Sequence, residues 1–150
     1  MSDKEVVASP PYGTGDASFQ AAGGVAGLEK LVNDFYDIMD SAADMQALRA
    51  MHAADLTESR DKLSRFLSAW LGGPRRYAEK YGTIHVPGAH QHMPIDVQEM
   101  EDWLRCMALA IEKQPYTSDF AEYLLRQLRI PAERIRQACA VRRQHPLGAD

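Results

Sequence analysis

The sequence predicts an all-α protein that folds as one domain. Four long segments repeat apolar residues at intervals of three and four, which places those residues on one face of a helix. No segment alternates apolar and polar residues as a half-buried strand does. Glycine and proline separate the helical segments, and 150 residues with 45% hydrophobic side chains can bury one core without disulfides.

The domain is expected to occupy residues 21–142. Residues 1–20 are predicted to be a flexible N-terminal extension, because Pro10, Pro11, Gly13 and Gly15 contribute little to a packed core. Residues 143–150 are predicted to be a C-terminal tail, with fraying expected from Arg142 onward.

The first helix is predicted at about residues 25–39, after the break at Gly23 and Gly24. Its apolar face consists of Val25, Leu28, Leu31, Val32, Phe35, Tyr36 and Met39. A short helical stretch should follow at residues 44–51, with Leu48 and Met51 facing inward.

The second long helix is predicted to begin at a capping pair formed by Asp55 and Glu58. Gly72, Gly73 and Pro74 should end it, because glycine favours a left-handed C-cap and proline cannot continue the helix. Its apolar stripe is Leu56, Leu63, Phe66, Leu67, Trp70 and Leu71. Residues 75–81 are expected to add one or two helical turns.

Residues 82–94 are predicted to be irregular, since prolines and glycines interrupt them. Asp96 and Glu99 then indicate a capping box for the third helix. The inward residues of that helix are Val97, Met100, Trp103, Leu104, Met107 and Ile111. After a break at residues 114–117, a last helix should be kinked, or divided in two, at Pro131. Its inward residues are Phe120, Tyr123, Leu124, Leu128, Ile135 and Ala138.

Charge and cysteine content exclude several classes of protein. The net charge of −4 and the scattered basic residues disfavour nucleic acid and anionic membranes as partners. Cys106 and Cys139 form no CxxC motif, which suits the reducing cytoplasm and excludes a covalently attached c-type haem. The polar first sixteen residues lack the apolar stretch of a secretory signal, and no apolar run is long enough to span a bilayer.

The residues alone leave the chemistry open. His90 and His92 resemble part of a zinc site, but two further ligands at suitable spacing are missing. Isolated histidines in such loops are usually solvated, and Tyr36, Trp70 and Trp103 on apolar helix faces are usually core residues. No nucleophile elbow, dinucleotide-binding motif or P-loop is present.

Between residues 23 and about 140 the sequence resembles the truncated haemoglobins of group II. The matching segments, in order, are GGVAGLEKLVNDFY, DLTESRDKLSRFLSAWLGGP, a histidine followed by PI, and DWLRCM. The resemblance implies the truncated globin fold, a two-over-two helical sandwich with a shortened first helix. It also implies a haem b cofactor.

The resemblance assigns His90, thirteen positions before Trp103, as the proximal ligand of the haem iron. His92 is the main rival because it lies two residues away. On the opposite face, Tyr36, His52 and Trp103 are implied to donate hydrogen bonds to bound O₂, which takes on superoxide character. His52 is expected to be able to donate in either protonation state.

Further cofactor contacts follow from the same resemblance. Ser59 and Leu63 would lie over the distal face. The residues implied to pack on the porphyrin are Phe66, Leu67, Ile95 and Met107. The family commonly has an arginine immediately before the proximal histidine, where this chain has Ala89. Lys62 and Tyr77, with His85 as an addition, are therefore expected to hold the haem propionates.

The implied function is binding of O₂, or of another diatomic ligand such as NO, with slow release. Retained O₂ suits redox detoxification as an NO dioxygenase or a peroxidase-like enzyme, and either would require an external reductant, with the identity of any reductase left open. The alternatives are a haem-based gas sensor acting through a separate partner and a haem-free helical interaction module. A cytoplasmic monomer or weak homodimer is expected.

Overall fold

The computed structural model describes residues 11–144, and every regular element within them is helical. The helices are α1 (Ala17–Ala21), α2 (Gly24–Ser41), α3 (Gln46–Arg49), α4 (Thr57–Trp70), α5 (Arg76–Tyr81), α6 (Val86–His90), α7 (Val97–Glu112) and α8 (Ser118–Gln144), with a 3-10 turn at Ala43–Met45 before α3. None of the described helices is long and apolar enough to cross a membrane.

Two helix pairs form the body of the domain. Helix α2 packs on α4, α7 packs on α8, and contact between α2 and α7 joins the pairs. This arrangement confirms the all-α, two-over-two prediction. The short helix α6 lies against α8, which leaves space between it and the α2–α4 pair.

The core follows most of the apolar faces that the sequence predicts, but Val97, predicted to face inward, lies in the first turn of α7 and is 51% exposed. On α2 six of the seven predicted inward residues are buried, namely Leu28, Leu31, Val32, Phe35, Tyr36 and Met39, whereas Val25 is half-buried. Phe35 contacts Tyr36 and Trp103 edge-to-face, with ring centroids 4.9 Å and 5.2 Å away. Burying one such aromatic ring contributes about 1.5–3 kcal/mol, so this cluster holds α2 against α7.

Part of the expected N-terminal extension is packed on the domain. The Tyr12 ring lies 5.2 Å from that of Phe120 and 4.9 Å from that of Tyr123, and its hydroxyl donates to Asp119. Phe19, in α1, is buried. The prediction for residues 1–20 weighed the prolines and glycines and overlooked these two aromatic anchors. Residues 1–10 of that extension, and residues 145–150 of the expected tail, lie outside the described residues.

A close backbone approach explains one glycine of the α4 stop. Gly72 has a φ of +92°, and a Cβ there would lie 2.0 Å from the carbonyl oxygen of Gly15. The stop signal at the end of α4 is confirmed, and it also leaves room for the N-terminal segment. The predicted capping pair before α4 is wrong. The Asp55 carboxylate accepts hydrogen bonds from Thr57, whereas Glu58 pairs with Lys62.

The segment predicted to be irregular contains a helical turn, α6. The His85 side chain caps it by accepting a hydrogen bond from the Gly88 amide, and Pro87 lies in its first turn. The predicted capping box of Asp96 and Glu99 is present at α7. Helix α8 runs through Pro131 without dividing.

Candidate functional site

A cavity of about 400 Å³ lies between α2, α4, α6, α7 and α8. This volume falls within the usual range of ligand sites, and the walls are mainly apolar. The predicted site residues that line it are Tyr36, His52, Ser59, Lys62, Leu63, Phe66, Leu67, Tyr77, His90, Ile95 and Trp103. The structure therefore brings together residues that are up to 67 positions apart, from Tyr36 to Trp103.

Met107 is the exception among the predicted site residues. It is completely buried in the helical core and does not line the cavity. It shares the face of α7 that carries Met100 and Trp103, but lies roughly 6 Å further along the helix axis than Trp103. Met100 lines the cavity instead.

The proximal face, as we call the side formed by α6, presents the imidazole of His90. Nδ1 of His90 lies 2.8 Å from the carbonyl oxygen of Val86. Because a carbonyl only accepts, Nδ1 carries the hydrogen and Nε2 carries the lone pair. The Cys139 thiol of α8 donates to the carbonyl of His90 at 3.1 Å.

The other two histidines of this segment have different positions. His92 is exposed and does not line the cavity. His85 is the cap of α6, and its Nδ1 is engaged by the Gly88 amide. Neither therefore competes with His90 for a ligand inside the cavity.

The distal face, formed by Tyr36, His52 and Trp103, contains two open hydrogen-bond donors. The Tyr36 hydroxyl and the Trp103 indole N–H have no partner within residues 11–144. Neither atom is sealed in the core, because the described residues contain no fully buried side-chain polar atom without a partner. Both residues line the cavity, so these donors are open to it.

Burial sets the protonation of Tyr36. Only 5% of this residue is exposed, and its removal from water raises the pKa of the phenol far above its ordinary value. The Arg60 guanidinium, 5.8 Å from the ring centroid, opposes this rise. The phenol thus keeps its proton and remains a donor at every physiological pH.

His52 differs from its sequence-based expectation. Its Nδ1 lies 3.0 Å from the Leu48 carbonyl oxygen, so Nδ1 carries the hydrogen and the neutral ring has a lone pair at Nε2. Burial lowers the pKa of His52, with smaller contributions in the same direction from Arg49 and His90. The neutral ring therefore presents an acceptor to the cavity. It donates from Nε2 only when it is protonated, which corrects the expectation of donation in either state.

The rim of the cavity carries a cation and a phenol. Lys62 pairs with Glu58 at 2.7 Å, and this bond raises the pKa of Lys62. Its ammonium also lies 5.2 Å from the centroid of the Tyr81 ring. Tyr77 lines the cavity on the same side. These polar groups could bind an anionic group at the edge of the cavity.

The bacterial-like globin family matches residues 17–136. The chain is a globin of this family, within the group II truncated haemoglobins.

Individual relatives agree with the family. The chain is 31% identical over 105 residues to Group 2 truncated hemoglobin YjbI of Bacillus subtilis, covering 70% of this chain and 77% of the relative. The group II 2-on-2 hemoglobin of Agrobacterium tumefaciens superposes with a TM-score of 0.76 and 28% identity, covering 86% and 96% of the two chains. The truncated oxygen-avid haemoglobin of Bacillus subtilis gives a TM-score of 0.71 and 29% identity, covering 79% and 97%.

The site of this globin fits a haem. It combines a mainly apolar slot, an imidazole with a free Nε2 on one face, open donors on the other face and a cation at the rim. A porphyrin requires apolar walls, the iron requires an axial nitrogen, and the propionates require donors.

Several lining residues were missed by the site prediction. They include Met93, Met100, Leu128, Pro131, Ala132 and Ile135. The four from α8 follow an i, i+3, i+4, i+7 pattern, so the periodicity that predicted an inward face for this helix contained the signal. What it lacked was the position of that face relative to α6.

Proposed function

We propose that this globin holds a haem b through Nε2 of His90 and binds O₂ on the opposite side of the porphyrin. The observation that carries this proposal is the lining of the cavity, which combines an imidazole whose Nε2 has no partner among the described residues with two residues whose donors are likewise open. When bound, the haem supplies the iron to which diatomic molecules such as O₂ and NO coordinate.

The distal donors select for ligands that gain negative charge when they bind. The Tyr36 phenol and the Trp103 indole donate hydrogen bonds to a ligand that gains negative charge, as O₂ does. Phe35 contacts both rings edge-to-face, so their positions are set before the ligand arrives. Each such bond contributes on the order of 1 kcal/mol, and more where water is excluded.

The remaining lining residues orient the cofactor. Ser59, Leu63, Phe66, Leu67 and Ile95 supply contact surface for the porphyrin, although Ser59 adds one hydroxyl. Lys62 and Tyr77 at the rim are the groups we assign to the propionates, in place of the arginine that Ala89 replaces.

Slow release of O₂ is the expected outcome of these contacts. A protein that retains O₂ is suited to oxidise NO, and that reaction needs electrons from an external reductase. A peroxidase-like reaction at the same site would instead take its electrons from a reducing co-substrate. The oxygen-avid character named for the Bacillus subtilis structure favours this assignment over a sensor that acts through a partner.

The test begins with the visible spectrum of the purified protein after haem supplementation. We expect a Soret band. The O₂ dissociation rate is then measured by displacement with CO, and we expect it to be slow. The absence of a Soret band would overturn the proposal and support a haem-free interaction module. Fast O₂ release from a haem-loaded protein would refute the retention role and favour a sensor.

A further inference from the structure

Arg49 closes the loop that carries His52. Its Nε donates to the Asp40 carboxylate at 2.8 Å, at the end of α2. Its two terminal nitrogens donate to the carbonyl oxygens of Ala53 and Ala54 at 2.9 Å and 2.8 Å. The Arg49 side chain is only 17% exposed.

These bonds enclose His52 on both sides along the chain. The His52 amide donates to the carbonyl of Arg49 at 3.0 Å, and the two carbonyls bound by the guanidinium follow His52 directly. The planar guanidinium engages three acceptors at once, which a single-point cation cannot reproduce with the same geometry. The backbone around His52 is therefore held from both ends.

With the backbone held, the ring has one hydrogen-bonding option within reach of Nδ1. The Leu48 carbonyl at 3.0 Å accepts its hydrogen, and no described residue bonds Nε2. The ring also lies against Tyr36, with centroids 5.8 Å apart at an angle of 76°, which limits its rotation. A ring flip would lose the bond to Leu48 and leave that carbonyl one partner short.

We propose that Arg49 is a positioning residue that holds His52 as the Nδ1–H tautomer, so that the distal face presents two donors and one acceptor. This inference rests on the proposed function, since it concerns what a ligand in the haem cavity meets. O₂ has no hydrogen to donate, so the neutral His52 ring does not stabilise it, whereas a ligand that carries a hydrogen finds a partner at Nε2.

The test uses the ferrous, CO-bound holoprotein, which is diamagnetic and suited to NMR of ¹⁵N-labelled histidine. At pH 8 the wild-type protein should show His52 protonated at Nδ1 and unprotonated at Nε2. Arg49→Met should convert His52 into a mixture of tautomers. Arg49→Lys should keep the wild-type signature only in part. Arg129→Met is the matched control, because Arg129 also makes a two-pronged ion pair but binds Glu101 and does not line the cavity.

A kinetic measurement separates positioning from a general structural role. In Arg49→Met, the Nε2–H tautomer can donate to O₂, so O₂ release at pH 8 should slow by up to about fivefold, the factor of one ordinary hydrogen bond. A merely structural defect would loosen the distal face and speed release. If Arg49→Met fails to fold, Asp40→Asn, which weakens one of the three contacts, should give a smaller shift of tautomer in the same direction.

The outcomes remain distinguishable from failure of the proposed function. Without a Soret band or a CO complex, the proposed function itself fails. With the complex formed, an Nε2–H tautomer in the wild type overturns the inference. A wild-type signature in both Arg49→Met and Asp40→Asn, or faster O₂ release in Arg49→Met, also overturns it.

Discussion

On the proximal face, His90 is oriented by the carbonyl of Val86, four residues earlier in the same short helix. On the distal face, Tyr36, His52 and Trp103 come from α2, from the loop after α3 and from α7. The orientation of the imidazole is thus set locally, and among the described residues the one hydrogen bond that reaches His90 from another helix comes from Cys139. The distal geometry exists only after three separate segments have packed together. We therefore expect loss of the proximal ligand to act in an all-or-none way, and loss of single distal donors to act in graded steps.

The largest effect is expected for His90→Gly. Removing the axial nitrogen should abolish normal ligation of the haem in the ferrous visible spectrum, and added imidazole should restore it. His92→Gly is the matched control and should resemble the wild type, because His92 is exposed and outside the cavity. Normal ligation in His90→Gly would show that the proximal face is not built around this residue.

A partial loss of O₂ retention is expected when either distal donor is removed. Trp103→Phe and Tyr36→Phe should each release O₂ roughly tenfold faster if each donor contributes about 1.4 kcal/mol to the bound state. Stopped-flow displacement by CO measures the rate. Trp70→Phe serves as the control, since Trp70 stacks on Phe66 without lining the cavity. An unchanged rate in Trp103→Phe would remove the indole from the set of donors.

A smaller effect is expected from pH. His52 is neutral above its lowered pKa and offers an acceptor, whereas below that pKa its Nε2–H becomes a donor. O₂ release from the ferrous protein should therefore slow several-fold as the pH falls from 8 through the lowered pKa of His52. Burial is the main cause of the lowered pKa; Arg49 and His90 lower it further, and the bond to Leu48 raises it.

The pH prediction has its own control and a consequence for stability. His52→Gln removes the titrating group, so its release rate should not change over the same range, and a slope equal to that of the wild type would assign the effect elsewhere. Because the folded chain binds the His52 proton less readily than the unfolded chain, acidification through the ordinary histidine range should also lower the free energy of unfolding.

The smallest effect is expected from replacing the two buried cysteines, which should differ in one measurable respect. Cys139 donates to the carbonyl of His90 on the proximal face, and Cys106 donates to the carbonyl of Phe35 between α7 and α2. Burial raises the pKa of Cys106 to about 11, which keeps that thiol protonated. Replacing either residue by alanine should reduce the free energy of unfolding by about 1–3 kcal/mol in denaturant titrations.

Only Cys139→Ala should also shift the iron–histidine stretching frequency of the ferrous protein. The reason is that Cys139 touches the backbone of the ligand and Cys106 does not. Equal shifts in the two variants would mean that the proximal face responds to general loosening of the core.

The residues of the cavity were predictable to different extents. The buried faces of helices such as α2 follow from periodicity alone, because the helix repeats every 3.6 residues in any surroundings. The roles of His90 and Trp103 came from resemblance, since isolated histidines and tryptophans are usually solvated or core residues. Met107 is buried and does not line the cavity, which the sequence could not reveal because periodicity specifies the face of a helix but not where along that face a cavity ends.

The sequence alone was enough to determine the helical class, the positions of the long helices, the stop at Gly72 and the capping box at Asp96, because each depends on neighbours a few residues away. Contacts that these local patterns do not specify decided the rest. Tyr12 reaches Phe120, and Arg49 binds Asp40 and the carbonyls that follow His52. Which nitrogen of His52 carries its hydrogen depends on the detailed shape of the folded turn after α3, which places the Leu48 carbonyl 3.0 Å from Nδ1, and periodicity and composition contain no such distance.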